Sequence, residues 1–585
     1  PYDMQHYGFI RYTHDKDNPS SIADDIIYAI TQDQNTGKIW IGSRSALSIM
    51  ESEDGIFTNY YPSNKSGYLP FNEVDALLSS KDGLMWVGML GGGIRVANTN
   101  TRKFNLNSLK TVRKIFPSAS VRAICPIDNQ WIWIGIMGFG FAKYNMQTQE
   151  VIPYNQIDAF QKLPLISTVN EIIQLKDNGE YCFATWDDGL WIFDGKKVQE
   201  INIESYPQLT DVCVYSVYED SKRNIWLGTR SGIFLLDKQR KMYAINNLIE
   251  NKTFIPEKES IFRIQEDKDG NIWAATPNSG IWKLTPHNNN FTVKQYTIKV
   301  QNAISIGAMT LYIDSDNTIW AGTNGKGLSI YNPEKDCFQY ALPANMKKGE
   351  VISCILEDNQ KGLWITTTSE MIHIHKNQPN KSVQVFTTED GLQDHIFNRN
   401  ACARGKDGKL YFGGVHGINN FFPTEIKYDT VSYPVVLTEL QIYDTPISRM
   451  PASEQQKIID SPLEYAQHIT LSYTQNNFSL GFSVLNYINP LLNKYEYKLE
   501  GYDNQWISTE GYHPAAFYNN LPAGTYTFSV RGSNPNGLWS NNIRSIKITI
   551  LPPPWFTWWA YCIYIIIVIL CIWLSLIHIS EPTRP

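Results

Sequence analysis

The chain has 585 residues, of which 43% are hydrophobic, 13% aromatic and 18% charged, and its net charge is −6. This length exceeds one ordinary compact core and predicts several domains or a repeat array, while the composition excludes a disordered chain. No long basic run is present, so we expect no nucleic-acid contact.

The chain starts at Pro1 without a charged-then-apolar leader, so we expect an N-terminus that has been cut, with any signal peptide upstream. The cysteines before the C-terminal segment form no CxxC pair and no zinc-type cluster, and they are interpreted as small buried hydrophobes, with a disulfide left open. These are Cys125, Cys182, Cys213, Cys337, Cys354 and Cys402.

A unit centred on an aromatic residue recurs nine times, about 43 to 50 residues apart, which is the spacing of four-stranded propeller blades. The centres are Trp40, Trp86, Trp133, Phe183, Trp226, Trp273, Trp320, Trp364 and Tyr411.

The stretch "DNTIWAGTNGKGLSIYN" shows how one unit is built. Asp316 and Asn317 are predicted to turn the chain between the first two strands, and Trp320 opens the second strand. Gly322, two residues later, leaves room for neighbouring blades to pack closely. A glycine-containing turn then leads into the third strand, and a fourth strand lies outermost.

Outer-strand segments precede the centres, but none follows the last unit, so the final blade needs a strand from elsewhere. We expect residues 102–428 to form a seven-bladed β-propeller whose last blade is closed by the segment around Phe104. Residues 1–101 are interpreted as the last blades of a preceding, truncated propeller. A single nine-bladed ring is disfavoured, because propellers typically have four to eight blades.

Residues 429–552 have a different pattern. "NNFSLGFSVLNY" and "AGTYTFSVRGSN" alternate apolar and polar residues with a period of two, which is typical of half-buried strands. Together with intervening turn signals they predict an immunoglobulin/fibronectin-like β-sandwich, and the fold class as a whole is all-β.

The repeated (D)xxGxIWxGTxxGGL pattern, the passage "FTTEDGLQDHIFNRNACARGKDGKLYFGGVHGINNFFPTEI" and the domain after it resemble the periplasmic region of hybrid two-component sensors from glycan-degrading bacteria. The resemblance implies two seven-bladed propellers, a tyrosine-rich (Y_Y_Y) domain, one membrane span, a histidine kinase, a receiver and a DNA-binding output region. The chain departs from this pattern by lacking most of the first propeller and everything cytoplasmic. The aromatic motif positions of the Y_Y_Y domain are interpreted as core residues that stiffen it: Tyr495, Tyr497, Tyr518, Tyr526 and Trp539.

Residues 555–577, "WFTWWAYCIYIIIVILCIWLSLI", carry no charge and are about as long as the roughly 20 residues that cross a bilayer. Aromatic residues at their start fit a membrane interface, so a transmembrane helix is favoured over a buried core helix. Three prolines join the sandwich to this span without a Gly/Ser linker, and they predict either semi-rigid coupling or a simple strand terminator. We expect residues 578–585 to be a truncated or non-native tail.

The sequence contains no GxSxG, HExxH or phosphate-binding GxxxxGK[ST] motif, so we expect no catalytic residues, no cofactor and no metal in this region. His373 and His375 alternate on a strand, and we expect them to face solvent rather than to bind a metal. The Asp-Gly turns are interpreted as hairpin closures.

Ligand contacts in propellers often come from loops at one end of the ring, and here the loops between second and third strands carry an aromatic ring with carboxylate, amide and cationic groups. That mixture suits sugar binding, and its cations weakly favour an acidic sugar. The candidate ligand-binding residues are Trp186, Asp187, Arg230, Asn278, Asn324, Lys326 and His416.

Two main functions remain open at this point. One is a sensor in the inner membrane, with residues 1 to about 554 in the periplasm, that binds an oligosaccharide, forms a homodimer and signals through one span. The other is a membrane-anchored propeller lyase or glycosidase, for which the loops between second and third strands offer few carboxylates. An adhesion scaffold is a weaker third possibility.

Overall fold

The structure is a computed structural model of the whole chain. It describes residues 2–3, 8–52, 54–63, 69–80, 82–99, 104–107, 109, 112–113, 120–251, 253–256, 258–300, 303–341, 350–376, 383–426, 433–487, 490, 493–511, 514–534 and 538–580. These residues form two compact units, Arg102–Tyr428 and a second unit made of Pro1–Thr101 with Asp429–Pro585.

The N-terminal part of the second unit contains a two-stranded, a four-stranded and a three-stranded sheet. Their strands are β1 (Tyr2–Asp3), β2 (Gly8–Phe9), β3 (Ile27–Gln32), β4 (Ile39–Ser43), β5 (Leu47–Ser52), β6 (Ile56–Tyr60), β7 (Val74–Ser79), β8 (Leu84–Met89) and β9 (Gly93–Asn98). Trp86 of β8 lies edge-to-face on Tyr487, 5.5 Å between ring centroids, so the three-stranded sheet contacts the C-terminal part of the same unit.

The unit Arg102–Tyr428 is a ring of seven four-stranded sheets, called blades 1 to 7 here. Blade 1 contains β11 (Val121–Pro126), β12 (Trp131–Ile136), β13 (Gly140–Asn145) and β14 (Val151–Pro153). Blade 2 contains β15 (Val169–Gln174), β16 (Tyr181–Thr185), β17 (Leu190–Phe193) and β18 (Val198–Ile201). Blade 3 contains β19 (Val214–Glu219), β20 (Ile225–Thr229), β21 (Gly232–Leu236) and β22 (Met242–Ala244). Blade 4 contains β23 (Arg263–Glu266), β24 (Ile272–Thr276), β25 (Gly280–His287) and β26 (Asn290–Tyr296). The hairpin of β27 (Ile298–Val300) and β28 (Ala303–Ile306) follows. Blade 5 contains β29 (Ala308–Ile313), β30 (Ile319–Thr323), β31 (Leu328–Asn332) and β32 (Cys337–Tyr340). Blade 6 contains β33 (Ile352–Glu357), β34 (Gly362–Thr367), β35 (Met371–His375) and β36 (Gln384–Phe386). Blade 7 contains β37 (Phe397–Arg404), β38 (Leu410–Gly414), β39 (Gly417–Phe421) and the N-terminal strand β10 (Asn105–Asn107).

The ring is closed by β10, which pairs antiparallel with β39 and supplies the outermost strand of blade 7. Phe104, directly before β10, is fully buried among Phe386, Phe421 and Trp364. The innermost strands of successive blades pack side by side around the axis, and β37 meets β11. The prediction of a strand around Phe104 that closes the last blade is therefore confirmed.

In blades 3 and 5 the glycine two residues after the central tryptophan is required by contact between blades. A Cβ at Gly228 would lie 2.8 Å from the carbonyl oxygen of Ile261 at the start of the next blade, and a Cβ at Gly322 would lie 2.5 Å from Cγ2 of Ile352. The predicted role of this small residue is confirmed.

A buried aspartate six residues before the tryptophan organises the first turn in four blades. In blade 5, Asp314 Oδ1 accepts the backbone N–H groups of Asp316 and Thr318, and its Oδ2 accepts Trp320 Nε1–H at 2.9 Å. The same side-chain bond joins Asp220 to Trp226, Asp267 to Trp273 and Asp358 to Trp364. The expectation that Asp316 and Asn317 turn the chain was incomplete: Asn317 has φ +66°, but the carboxylate that holds the turn is Asp314.

Residues 433–551 form two packed sheets, with strand orders β41-β40-β43-β46 and β42-β48-β47-β44-β45. The elements are β40 (Val435–Ile442), β41 (Thr445–Pro446), α1 (Ala452–Ile458), β42 (His468–Leu471), β43 (Phe478–Val484), β44 (Lys494–Glu500), β45 (Ile507–Glu510), β46 (Ala515–Tyr518), β47 (Gly524–Ser533) and β48 (Arg544–Ile550). Tyr495, Tyr518 and Tyr526 are buried in the core between the sheets, and Tyr497 packs against it partly buried. The predicted all-β sandwich and the core role of these tyrosines are confirmed.

The last strand passes into the C-terminal helix through a short, ordered junction. Pro554–Phe556 form a 3-10 turn, and α2 (Trp558–Ser580) follows. The segment Trp558–Leu576 is long and apolar enough to cross a membrane. The helix therefore begins three residues after the predicted start at Trp555. Residues 578–580, which were expected to belong to a tail, continue the helix, and residues 581–585 lie outside the described residues.

Candidate functional site at the axial mouth of the propeller

β-Bulges in the innermost strands mark one level of the central axis. In blades 1, 2, 3, 5 and 6 the pairing between the first and second strands shifts by one residue. A bulge leaves one residue unpaired and re-aims its side chain. The residues at these positions are Arg122, Asn170, Tyr215, Met309 and Ser353.

Blade 7 carries a larger bulge. Phe397 pairs with Gly414 and Cys402 with Phe412, so four residues of β37 stand opposite the single residue Gly413. Within this bulge Asn400 has φ +56°, a left-handed conformation that asparagine tolerates better than most residues.

The bulge of blade 7 reaches across the ring. Asn398 Nδ2 donates to the carbonyl oxygen of Val121 at 2.7 Å in neighbouring blade 1. Asn400 Nδ2 donates to the carbonyl oxygen of Phe262 at 2.8 Å, and Thr310 Oγ1 donates to Asn400 Oδ1 at 2.7 Å. Because Phe262 and Thr310 belong to blades 4 and 5, this segment bridges the central axis.

Between these two asparagines, Arg399 lies over a row of aromatic rings. Its Cζ is 3.4 Å from the ring centroid of Phe262 and 5.3 Å from that of Tyr215. Tyr215 contacts Phe262 and Trp186 edge-to-face, with centroids 5.2 and 5.6 Å apart. We call Trp186, Tyr215 and Phe262 the aromatic ledge; Trp186, at its end, is 37% exposed.

A second arginine, Arg122, lies close enough to Tyr215 and Arg399 to interact with both electrostatically. Burial lowers the pKa of Arg122, and burial together with the positive charge of Arg122 lowers the pKa of Arg399 to about 10. Neither guanidinium forms an ion pair with a described residue, and the buried Nε of Arg122 has no hydrogen-bond partner among them. The ledge and the two arginines define what we call the axial mouth.

The axial mouth opens at the loop end of the ring. The backbone N–H of Trp186, in the turn between second and third strands, donates to the carbonyl oxygen of Thr168 just before innermost strand β15. On the other side of the bridge a cavity of about 350 Å³ lies among the C-terminal ends of the innermost strands, lined in part by Asn400 and Lys406. An ion pair between Arg263 and Glu171 balances the charge there, in contrast to the axial mouth.

Of the predicted ligand residues, Trp186 belongs to the aromatic ledge, and Arg230 lies close enough to Tyr215 of the ledge for the two groups to interact electrostatically. Asp187 Oδ2 accepts the backbone N–H of Ser167 at 2.6 Å, and Arg230 is paired with Asp211 at 2.9 Å. His416 is hydrogen-bonded to Asp394.

The remaining three predicted residues, Asn278, Asn324 and Lys326, are exposed on their loops. Among the contacts of the described residues, none joins two of the seven predicted positions.

Sequence reasoning missed Arg122, Tyr215, Phe262 and Arg399. The available signal was a polar or aromatic residue directly after the aliphatic residue that opens a first strand, as in "SVRAI", "CVYSV" and "IFRI". The Asn-Arg-Asn insertion in "FNRNACA" was a further signal. A bulge is not visible in a single apolar pattern, so the sequence does not distinguish these residues from ordinary strand residues.

Two titratable clusters have structural explanations. Oxygen atoms of Asp314, Asp316 and Glu357 lie within 4.8 Å of one another, a spacing that could hold a cation. The Lys376 ammonium occupies that position, 2.7 Å from Asp314 and 3.3 Å from Asp316.

The histidine expected to face solvent, His373, is only 2% exposed and stacks on Trp364 with centroids 4.1 Å apart, so that expectation was wrong. His375, two residues along the strand, is half-buried.

Cys354 and Cys402 form a disulfide between the innermost strands of blades 6 and 7. For these two cysteines the disulfide that the sequence left open is therefore the correct alternative. Cys125, Cys182 and Cys213 are free and buried.

Comparison with known proteins matches both domain types. The Y_Y_Y domain profile matches residues 486–551, and the two component regulator propeller profile matches residues 208–231 and 256–278. The chain thus carries segments similar to two component regulator propeller repeats and to a Y_Y_Y domain, followed by one apolar helix.

More particularly, the chain is 26% identical over 537 residues to Histidine kinase P4 of Formosa agariphila, covering 91% of this chain and 35% of that protein. It thus spans about a third of the length of this curated relative.

Two solved structures are similar over most of the chain. The extracellular domain of a hybrid two component system from B. thetaiotaomicron has 20% identity and a TM-score of 0.46, covering 91% of this chain and 70% of that one. PorZ, a surface component of the type-IX secretion system of Porphyromonas gingivalis, has 10% identity and a TM-score of 0.43, covering 90% and 75%. At these values the likeness carries no functional argument.

Proposed function

We propose that the chain is the periplasmic ligand-sensing region of a hybrid histidine kinase/response regulator of the inner membrane. Its ligand is an oligosaccharide released by polysaccharide breakdown, and its output is control of glycan-utilisation genes. The signal passes through one membrane span, and two copies of the chain pair so that their spans move against each other.

The observation that carries this proposal is the ordered connection between sandwich and span. The backbone N–H of Leu551 donates to the carbonyl oxygen of Leu471 at 2.8 Å, which keeps the chain hydrogen-bonded to the sheet up to the prolines. Trp555 then packs edge-to-face on Tyr473, 5.3 Å between centroids, and Tyr564 Oη donates to the carbonyl oxygen of Trp555 at 3.2 Å. A displacement of the sandwich is thereby passed to the helix rather than absorbed by a flexible linker.

Two further observations support the proposal. The disulfide Cys354–Cys402 fits an oxidising compartment outside the cytoplasm. The exposed edge of Trp186, beside polar loops, suits stacking against the apolar face of a sugar ring.

The test uses the chain in detergent micelles and a panel of glycan oligosaccharides, with calorimetry for binding and chromatography for products. We expect one oligosaccharide class to bind without being cleaved. The same class should induce glycan-utilisation transcripts in the source bacterium only while the gene that encodes this chain is intact. Product formation would favour the propeller enzyme instead, and induction that persists after deletion of the gene would refute the sensor.

A further inference from the structure

We propose that the axial mouth binds the anionic group, a carboxylate or a sulfate ester, of a glycan fragment whose sugar ring lies against Trp186. Arg122 and Arg399 bind the anion. This inference rests on the proposed sensor function and specifies the chemical class of its ligand.

The first argument is charge. Arg122 is close enough to Arg399 for its charge to lower the pKa of Arg399, and neither arginine forms an ion pair with a described residue, whereas the arginine on the neighbouring loop, Arg230, is paired with Asp211. Holding two like charges together in a partly desolvated space is unfavourable unless an anion enters it. Carboxylates and sulfates match the planar donor fork of arginine.

The second argument is that the site is built. The backbone position of Arg399 is fixed, because Asn398 and Asn400 on either side of it are hydrogen-bonded to blades 1, 4 and 5. Its guanidinium carbon lies 3.4 Å from the ring centroid of Phe262, a contact that holds the charge over the aromatic ledge. The buried Nε of Arg122 is a donor without a partner among the described residues.

The third argument is the position of the aromatic ledge. The ledge runs from the half-buried ring of Phe262, which contacts Arg399, to the exposed ring of Trp186. An anion held by the arginines therefore places the rest of a sugar chain along the ledge toward the loops and solvent. Neutral glycans would gain the stacking contact but not the charge-assisted hydrogen bonds.

The experiment measures the affinity of the chain in detergent micelles for three disaccharides: digalacturonate, a sulfated galactose disaccharide and neutral galactobiose. We expect at least one acidic disaccharide to bind at least tenfold more tightly than the neutral one, and its affinity alone to fall as ionic strength rises. Whichever acid binds more tightly identifies carboxylate or sulfate as the source of the charge.

Variants locate the site. Arg122→Gln and Arg399→Gln should each weaken the acidic disaccharide at least tenfold, while Lys335→Gln, which removes an exposed charge from the same propeller, should not. Circular dichroism shows whether each variant folds, and the salt dependence of the unmodified chain is a test that needs no variant.

Equal affinity for acidic and neutral disaccharides, no binding of either acid, or Arg122→Gln behaving like Lys335→Gln would overturn the anion site. If a neutral oligosaccharide binds the chain and induces the transcripts, the sensor function stands while the anion site fails.

Discussion

Closure of the propeller depends on Phe104, and its removal has a calculable effect. The Phe104 ring is fully buried, with the rings of Phe386 and Phe421 5.0 and 4.8 Å away across the joint between blades 6 and 7. Truncation of a buried phenylalanine to alanine removes its apolar burial and leaves a cavity, and costs about 3–5 kcal/mol. Because a domain is typically stable by only about 5–15 kcal/mol, Phe104→Ala should remove a large part of the stability of this unit.

The assay is urea unfolding of the intact chain in detergent, followed by tryptophan fluorescence, with Phe254→Ala as the matched control. Phe254 belongs to the same unit and is 66% exposed, so its truncation should change the free energy of unfolding by no more than about 0.5 kcal/mol. Phe104→Ala should lower the midpoint of the propeller transition far more than this control. Equal midpoints for the two variants would show that the N-terminal strand does not hold the ring closed.

Three other perturbations test the blades and the junction. Replacing Cys354 and Cys402 by serine removes a crosslink with a sequence separation of 48 residues and should cost about 2–4 kcal/mol, and dithiothreitol should lower the melting temperature of the parent chain but not of this variant. Asp358→Asn, which weakens the bond to the Trp364 indole, should cost about 1–3 kcal/mol at neutral pH. Burial raises the pKa of Asp358, but its hydrogen bonds lower that pKa by more, so the folded-state pKa lies below the usual 3.8. The stabilisation by this carboxylate is therefore present above pH 3.8 and is lost as the pH falls through the folded-state pKa. Acid should thus destabilise the parent more steeply than the variant. Two glycines inserted after Pro554 should leave ligand affinity unchanged and abolish transcript induction, and induction that survives the insertion would contradict coupling through the junction.

The repeat architecture could be predicted because its causes are local. Turn residues, a large aromatic centre and a small residue two positions later recur in the sequence, and each acts on its own blade or on the adjacent one. The strand that closes blade 7 was also predictable, because no outer-strand segment follows the last repeat and the segment around Phe104 precedes the first blade of the ring.

The candidate site was predictable only in part. Trp186 could be found because it lies in a loop at a fixed place in the repeat, and the structure puts it at the edge of the axial mouth. Asp187 and Arg230, chosen by the same rule, are engaged by Ser167 and Asp211, and a partner outside the loop is not visible in the loop itself.

By itself, the sequence determined the all-β class, the number of blades, the sandwich and the apolar helix, because each follows from a periodic pattern within about fifty residues. Only the tertiary structure decided which side chains meet at the axis. Arg122 and Arg399 are 277 residues apart in the chain and become neighbours because the ring closes and a bulge carries Arg399 across it. The disulfide between Cys354 and Cys402 has the same origin, since it joins innermost strands that only blade packing brings side by side.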